Sequence, residues 1–136
     1  MILNNKMVVS GKRKTSVAKA TIFPGNGRII FNKRPLTALS EFAQLEISEP
    51  LLIAKEILGT LNFDIAINVK GGGIESRVEA GRLAIAKSIV KFTGNENLRI
   101  AYLTYDRNLL VADTRRKETR KPGDSKARAR RQTSYR

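Results

Sequence analysis

The sequence predicts an α+β domain that carries an extended, strongly basic C-terminal tail. Three observations lead there. Residues 62–70 alternate with the period of a half-buried strand. Phe63, Ile65, Ile67 and Val69 point one way, while Asn62, Asp64, Asn68 and Lys70 point the other with Ala66 among them. A triple glycine, Gly71-Gly72-Gly73, then breaks the chain before residues 76–92, where Val78, Ile85, Ile89 and Phe92 recur on one helical face. Finally, residues 113–136 hold ten Lys/Arg against three Asp/Glu and no large aliphatic side chain. Such a segment cannot bury enough apolar surface to offset its ordering entropy, so it stays extended until a partner holds it.

The other elements follow in chain order. Residues 7–9 and 17–23 read as strands flanking the basic, turn-like Gly11-Lys12-Arg13-Lys14. Pro24-Gly25-Asn26-Gly27 supplies turn chemistry, so a short strand at 28–32 is expected to close a hairpin with 17–23, and Lys33-Arg34-Pro35 ends it. A short helix is expected at 37–43. A second starts at the capping candidate Ser48, with Pro50 in its first turn, Leu51, Ala54 and Leu58 on one face and Gly59 as its stop. In the long helix Ser76 and Glu79 have capping-box spacing. Gly81 and Ala84 there permit close backbone approach, while Arg82, Lys87 and Lys91 keep the remainder basic. Asn95 caps a further helix through 98–103, with 110 as its outer limit. Helices on one face of a small sheet make an α+β body, assigned to residues 1–112, with the tail at 113–136.

The 136 residues carry a formal net charge of +14, of which the tail contributes +7. A chain so charged repels its own copies, so a homo-oligomer is not expected, and it favours polyanionic partners. There is no run of about 18 apolar residues, so no membrane insertion is expected. The segment MILNNKMVVSGKRK lacks a signal-peptide core or a transit segment, which predicts a protein that works where it is made. The absence of Cys and His removes disulfides, thiolate chemistry, Cys-ligated zinc and the commonest general base. No cofactor or metal is expected, and an enzyme is not.

Gly11-Lys12 fails as a phosphate-binding loop, because Lys6 stands where the first Gly should be and Arg13 where Ser/Thr should be. The triple glycine could cradle a phosphate on free N–H groups, but Glu75 and Glu79 would repel an anion there, so a tight strand-to-helix turn is the better reading. Asp64, Glu75, Glu79, Asp106 and Asp113 show no paired spacing, and solvated ion pairs are their default role. In the tail Arg outnumbers Lys seven to three, which suits bidentate contacts to phosphate. Few aromatics and no Trp argue against a platform that stacks single-stranded bases. Backbone-dominated recognition of a folded RNA fits better.

Three blocks then make the chain recognisable. They are Gly11-Lys12-Arg13-Lys14-Thr15-Ser16-Val17-Ala18-Lys19 with Pro24-Gly25-Asn26-Gly27; Phe63-Asp64-Ile65 with Asn68-Val69-Lys70-Gly71-Gly72-Gly73, running on into Ala80-Gly81-Arg82-Leu83-Ala84-Ile85-Ala86-Lys87; and the end, where Asp113, Arg115, Glu118, Lys121, Gly123, Lys126, Ala127, Arg128, Gln132, Ser134 and Arg136 match without gaps. In this order they resemble the small-subunit ribosomal protein nine family along nearly the whole chain.

The resemblance implies a mixed four-stranded sheet with a left-handed βαβ connection and a non-enzymatic structural role in the head of the small ribosomal subunit. It implies binding to small-subunit rRNA beside neighbouring head proteins. The rRNA-binding residues would be Lys12, Arg13, Lys14, Lys19, Arg82 and Lys87 on the body, and Arg115, Arg116, Arg120, Lys121, Lys126, Arg128, Arg130 and Arg131 on the tail. Ser134, Tyr135 and Arg136 would approach the tRNA in the peptidyl site. The chain departs from the family in three places. Ser76-Arg77-Val78-Glu79 replaces the usual residues after the glycines, 98–112 is about two residues longer, and Tyr135 replaces the penultimate cation. Such drift points to a plastid (chloroplast stroma) or bacterial cytoplasmic source. The alternative function is a general nucleic-acid-binding protein of nucleoid type.

Overall fold

The computed structural model describes residues 5–136, and the reading of the extreme N-terminus (residues 1–4) lies outside them. Five strands form one mixed sheet: β1 (Met7–Arg13), β2 (Ser16–Pro24), β3 (Ile29–Phe31), β4 (Arg34–Pro35) and β5 (Phe63–Lys70), in the order β1-β2-β5-β3-β4. Three α-helices accompany it: α1 (Glu41–Leu58), α2 (Ile74–Thr93) and α3 (Glu96–Tyr105). The α+β class stands, with one strand more than the four expected. The extra strand is the two-residue β4, folded back on β3 through Asn32 and Lys33, whose φ values of 49° and 64° make a tight hairpin turn.

Alternation decides which side of the sheet is covered. Ala18, Ala20 and Ile22 of β2 and Phe63, Ile65, Ile67 and Val69 of β5 are buried against α2, which contributes Val78, Ala80, Ala84, Ile85 and Ile89. Gly11 lets β1 approach this helix closely: a Cβ there would lie 2.6 Å from the Ala80 carbonyl oxygen and 2.8 Å from the Ala84 nitrogen.

The expected β2–β3 hairpin does not form. β5 lies between the two strands, antiparallel to β2 and parallel to β3, and α1 joins β3 to β5 as a crossover. The Pro-Gly-Asn-Gly segment instead spans the end of β5. Asp64 fastens it, its Oδ1 accepting from the Asn26 and Arg28 amides at 2.8 Å each. Those amides hold the Asp64 carboxyl below its ordinary range, Arg28 contributing most. Asp64 is thus a loop clamp rather than a solvated ion-pair partner. On the other side Asn32 stitches β3 to β5 by accepting from the Val69 amide at 2.8 Å.

The two helices expected around 37–43 and from Ser48 are one. Ser40 caps α1, its Oγ accepting from the Ala43 amide, and Leu36–Ala38 is only a 3₁₀ turn. Ser48 is mid-helix and donates to the Gln44 carbonyl at 2.6 Å. Pro50 removes one helical bond yet is buried, and its carbonyl accepts from the buried Tyr102 hydroxyl of α3 at 2.7 Å. Packing against α3 therefore offsets the usual cost of an interior proline.

Gly71 and Gly72 turn the chain with φ of 79° and 68°, and α2 is capped at Gly73, three residues before the expected Ser76 cap. The Ser76 Oγ instead accepts from the Gly73 amide at 3.0 Å and shares a 2.9 Å hydrogen bond with the buried Ser16 hydroxyl. Asn95 caps α3 as expected, accepting from the Asn97 amide at 2.9 Å. That helix ends at Tyr105, between the expected 103 and the outer limit of 110, because Asp106 starts a separate 3₁₀ turn, Arg107–Leu109. Leu109 is buried, and beyond it the chain has neither helix nor strand.

Candidate RNA interface

The uncovered face of the sheet gathers cations from strands distant in sequence. Lys12 pairs in register with Val17, which pairs with Lys70; Lys19 pairs with Ser10 and Asn68. Strand alternation turns all three lysines outward, and all three are exposed. Among the described residues none pairs with a carboxylate, so each keeps its full charge for a ligand. At the hairpin tip Lys14 is exposed with φ 52°. Lys87 is half-buried on α2.

Arg13 and Arg82 are placed differently. The Arg13 Nε lies 2.5 Å from Glu79 of α2, and its Nη1 bonds Asp113 at the root of the tail. The Arg82 Nη1 lies 3.3 Å from Asp106 and its Nη2 bonds Glu49 of α1. Both side chains are largely covered, at 17% and 19% exposure. Their charges are already matched, so both act as internal ties. Arg13 joins hairpin, α2 and tail; Arg82 joins α1, α2 and the end of α3.

Asp113 is the residue that brings the two basic regions together. Besides Arg13 it accepts from the Arg115 backbone amide at 2.9 Å and from the Arg115 Nη2 at 2.8 Å. These bonds hold its carboxyl well below the ordinary carboxylate range, the Arg115 side chain first, then the Arg115 amide, with Arg13 contributing less. As a result Arg13, Lys14, Thr15, Arg115, Arg116 and Lys117 line one open concavity between hairpin and tail root.

Every tail cation is exposed. Glu118 accepts from Arg128 at 2.9 and 2.6 Å, and the Gly123 carbonyl accepts from Arg131 at 3.2 Å. Arg120, Lys121, Lys126, Arg130 and Arg136 have no carboxylate partner among the described residues. Ser134, Tyr135 and Arg136 are exposed, Tyr135 at 91%.

The sequence alone does not single out Lys70, Lys117 or Asp113 as parts of this interface. Lys70 was legible, since the alternation of 62–70 already turned it outward; Lys117 lies within the tail; nothing local marked Asp113 as an anchor. Among the described residues there is no cluster of His, Cys, Asp or Glu suited to a metal ion, and no helix long and apolar enough to cross a membrane.

Comparison with known proteins gives this arrangement a context. Residues 11–136 match the model of a family described as ribosomal protein S9/S16. The small ribosomal subunit protein uS9 of Methanococcus vannielii is 46% identical over 129 residues, covering 93% of this chain and 95% of the relative. The uS9 of Methanococcus maripaludis strain S2 gives the same figures, 46% over 129 residues. These relatives are archaeal, so the expectation of a plastid or chloroplast source finds no support, and a bacterial one is not established. The match from the basic hairpin to the last residue, at this identity, shows that the chain belongs to the ribosomal protein S9/S16 family, a family of structural, non-enzymatic ribosome components.

Proposed function

We propose that the chain is a structural constituent of the head of the small ribosomal subunit, bound to rRNA, with its tail running toward the peptidyl-site tRNA. One observation supports this above the others: the hairpin cations and the tail root form one continuous basic zone, joined through Arg13 and Asp113, from which the extended tail departs.

The division of labour follows from the charges left free. Lys12, Lys14, Lys19 and Lys70 meet phosphates as mobile point charges on the body, and Lys87 adds one from α2. Arg13 and Arg82 hold the scaffold that presents them. In the tail Arg115, Arg116, Arg120, Arg128, Arg130 and Arg131 offer planar forks to phosphate oxygens, with Lys121 and Lys126 between them. Arg115 and Arg128 exchange their carboxylate partners for phosphate on binding. The tail orders as it binds and screens repulsion between packed RNA helices. At the tip Tyr135 can stack or hydrogen-bond, and Arg136 carries the cationic contact to tRNA.

Fractionating a lysate at low salt tests the assignment. The protein should follow small ribosomal subunits; sedimentation with DNA would favour the nucleoid-type reading instead. Removing residues 133–136 should leave incorporation intact and weaken peptidyl-site tRNA, and normal tRNA affinity in that variant would remove the role of the tip.

A further inference from the structure

The outward face of α1 breaks the charge pattern of the whole molecule. In a chain of net charge +14, this helix carries Glu41, Glu46, Glu49 and Glu56 against the single cation Lys55. The same helix exposes Phe42 at 70%, Leu45 at 62% and Leu52 at 65%. At 100° per residue these three side chains fall within about 80° of the helix circumference, opposite the buried Ala43, Ile47, Pro50 and Ala54. Glu56 lies within that arc and Glu41 at its edge, both exposed and without a cation partner among the described residues. Large apolar side chains scattered singly need no explanation, but three on one stripe of an otherwise satisfied helix mark an unpartnered face.

We propose that this face docks a cationic, apolar-bearing segment of another protein of the particle. RNA is excluded by charge, since the stripe would set carboxylates against phosphates. A symmetric contact between two copies would set the same glutamates against each other. What remains complementary is a Lys/Arg-rich polypeptide with aliphatic or aromatic residues to cover Phe42, Leu45 and Leu52. Proteins that accompany an RNA polyanion must supply such cations, so the inference rests on the ribosomal assignment above.

Two experiments on the full-length chain decide it. In the first, the free protein is titrated with a synthetic peptide alternating Leu and Arg, and separately with its Leu/Glu counterpart, while backbone amide resonances are followed. Resonances of α1 should move with the basic peptide alone, and the Glu41→Lys/Glu56→Lys variant should bind it roughly tenfold more weakly. An equal response to both peptides, or a response that spares α1, overturns the proposal. In the second, a photo-cross-linking residue replaces Leu45 in protein assembled into small subunits. An adduct to a Lys/Arg-rich peptide of another protein supports the docking face; an adduct to RNA, an adduct to a second copy of this chain, or no adduct overturns it. A chain absent from small subunits altogether would instead defeat the ribosomal assignment, and the peptide titration would still decide the face.

Discussion

Replacing Gly11 by Ala tests how closely β1 and α2 pack. The new Cβ would sit 2.6 Å from the Ala80 oxygen, 2.8 Å from the Ala84 nitrogen and 3.2 Å from the Ala84 Cα. All three are backbone atoms, so no side-chain rotation relieves the overlap, and α2 must move by several tenths of an ångström. That helix buries Val78, Ala80, Leu83, Ala84, Ile85 and Ile89, so the shift loosens much of the core. Overpacking of this kind costs about 1–3 kcal/mol. The lower entropy of an unfolded chain with Ala in place of Gly returns about 0.4–1 kcal/mol. The net loss of about 1–2 kcal/mol should lower the thermal midpoint by roughly 4–10 °C for a body of this size. Circular dichroism melting measures it, and RNA binding well below the midpoint should keep its salt dependence. An unchanged or raised midpoint would refute the packing argument and restore a ligand-binding reason for a glycine in the Gly11-Lys12-Arg13-Lys14 block.

The remaining predictions concern the joints of the structure. Tyr102→Phe removes the hydroxyl's bond to the Pro50 carbonyl, which keeps only its helical partner, and should cost about 0.5–1.5 kcal/mol in urea unfolding, whereas an unchanged midpoint would show that the contact between α1 and α3 needs no such bond. Asp113→Asn should free the tail root, seen as faster hydrogen exchange at the Arg115 amide with the body's melting temperature preserved; unchanged exchange would mean the anchor lies elsewhere. The folded-state pKa of Asp113 is depressed, so the anchoring it gives is present above its ordinary value of 3.8 and lost as pH falls through the lower folded value. Wild-type protein should therefore keep a slow Arg115 amide through pH 4 and match the Asn variant only in stronger acid, and loss of protection already near pH 5 would contradict this.

What the sequence made legible was local and periodic. The alternation of 62–70 and the apolar face of the long helix emerged as β5 and α2 with bounds close to those expected. What it concealed was set by residues far apart. Strand 28–32 follows a good turn, yet Asp64 captures that turn across the end of β5, and parallel pairing with β5 prevails over a hairpin. Ser48 and Pro50 are chemically a helix start, but burial of Pro50 beneath Tyr102 lets one helix run through both. The site divides in the same way. Outward lysines such as Lys12 and Lys19 follow from alternation along a strand. The capture of Arg13 does not, because its partners Glu79 and Asp113 lie 66 and 100 residues away. Arg82 likewise reaches partners 33 and 24 residues distant.

Salt dependence tests the role of the tail most directly. The segment 113–136 carries ten cations and three acids, so about seven phosphates are neutralised if it acts as a counterion. At about 0.7–0.9 counterions released per phosphate, a chain ending at Ala112 should bind rRNA with a logarithmic salt slope shallower by about five to six than the full chain. The full-length advantage should accordingly fall about a thousandfold or more between 50 and 200 mM salt. Equal slopes for the two chains would contradict the account.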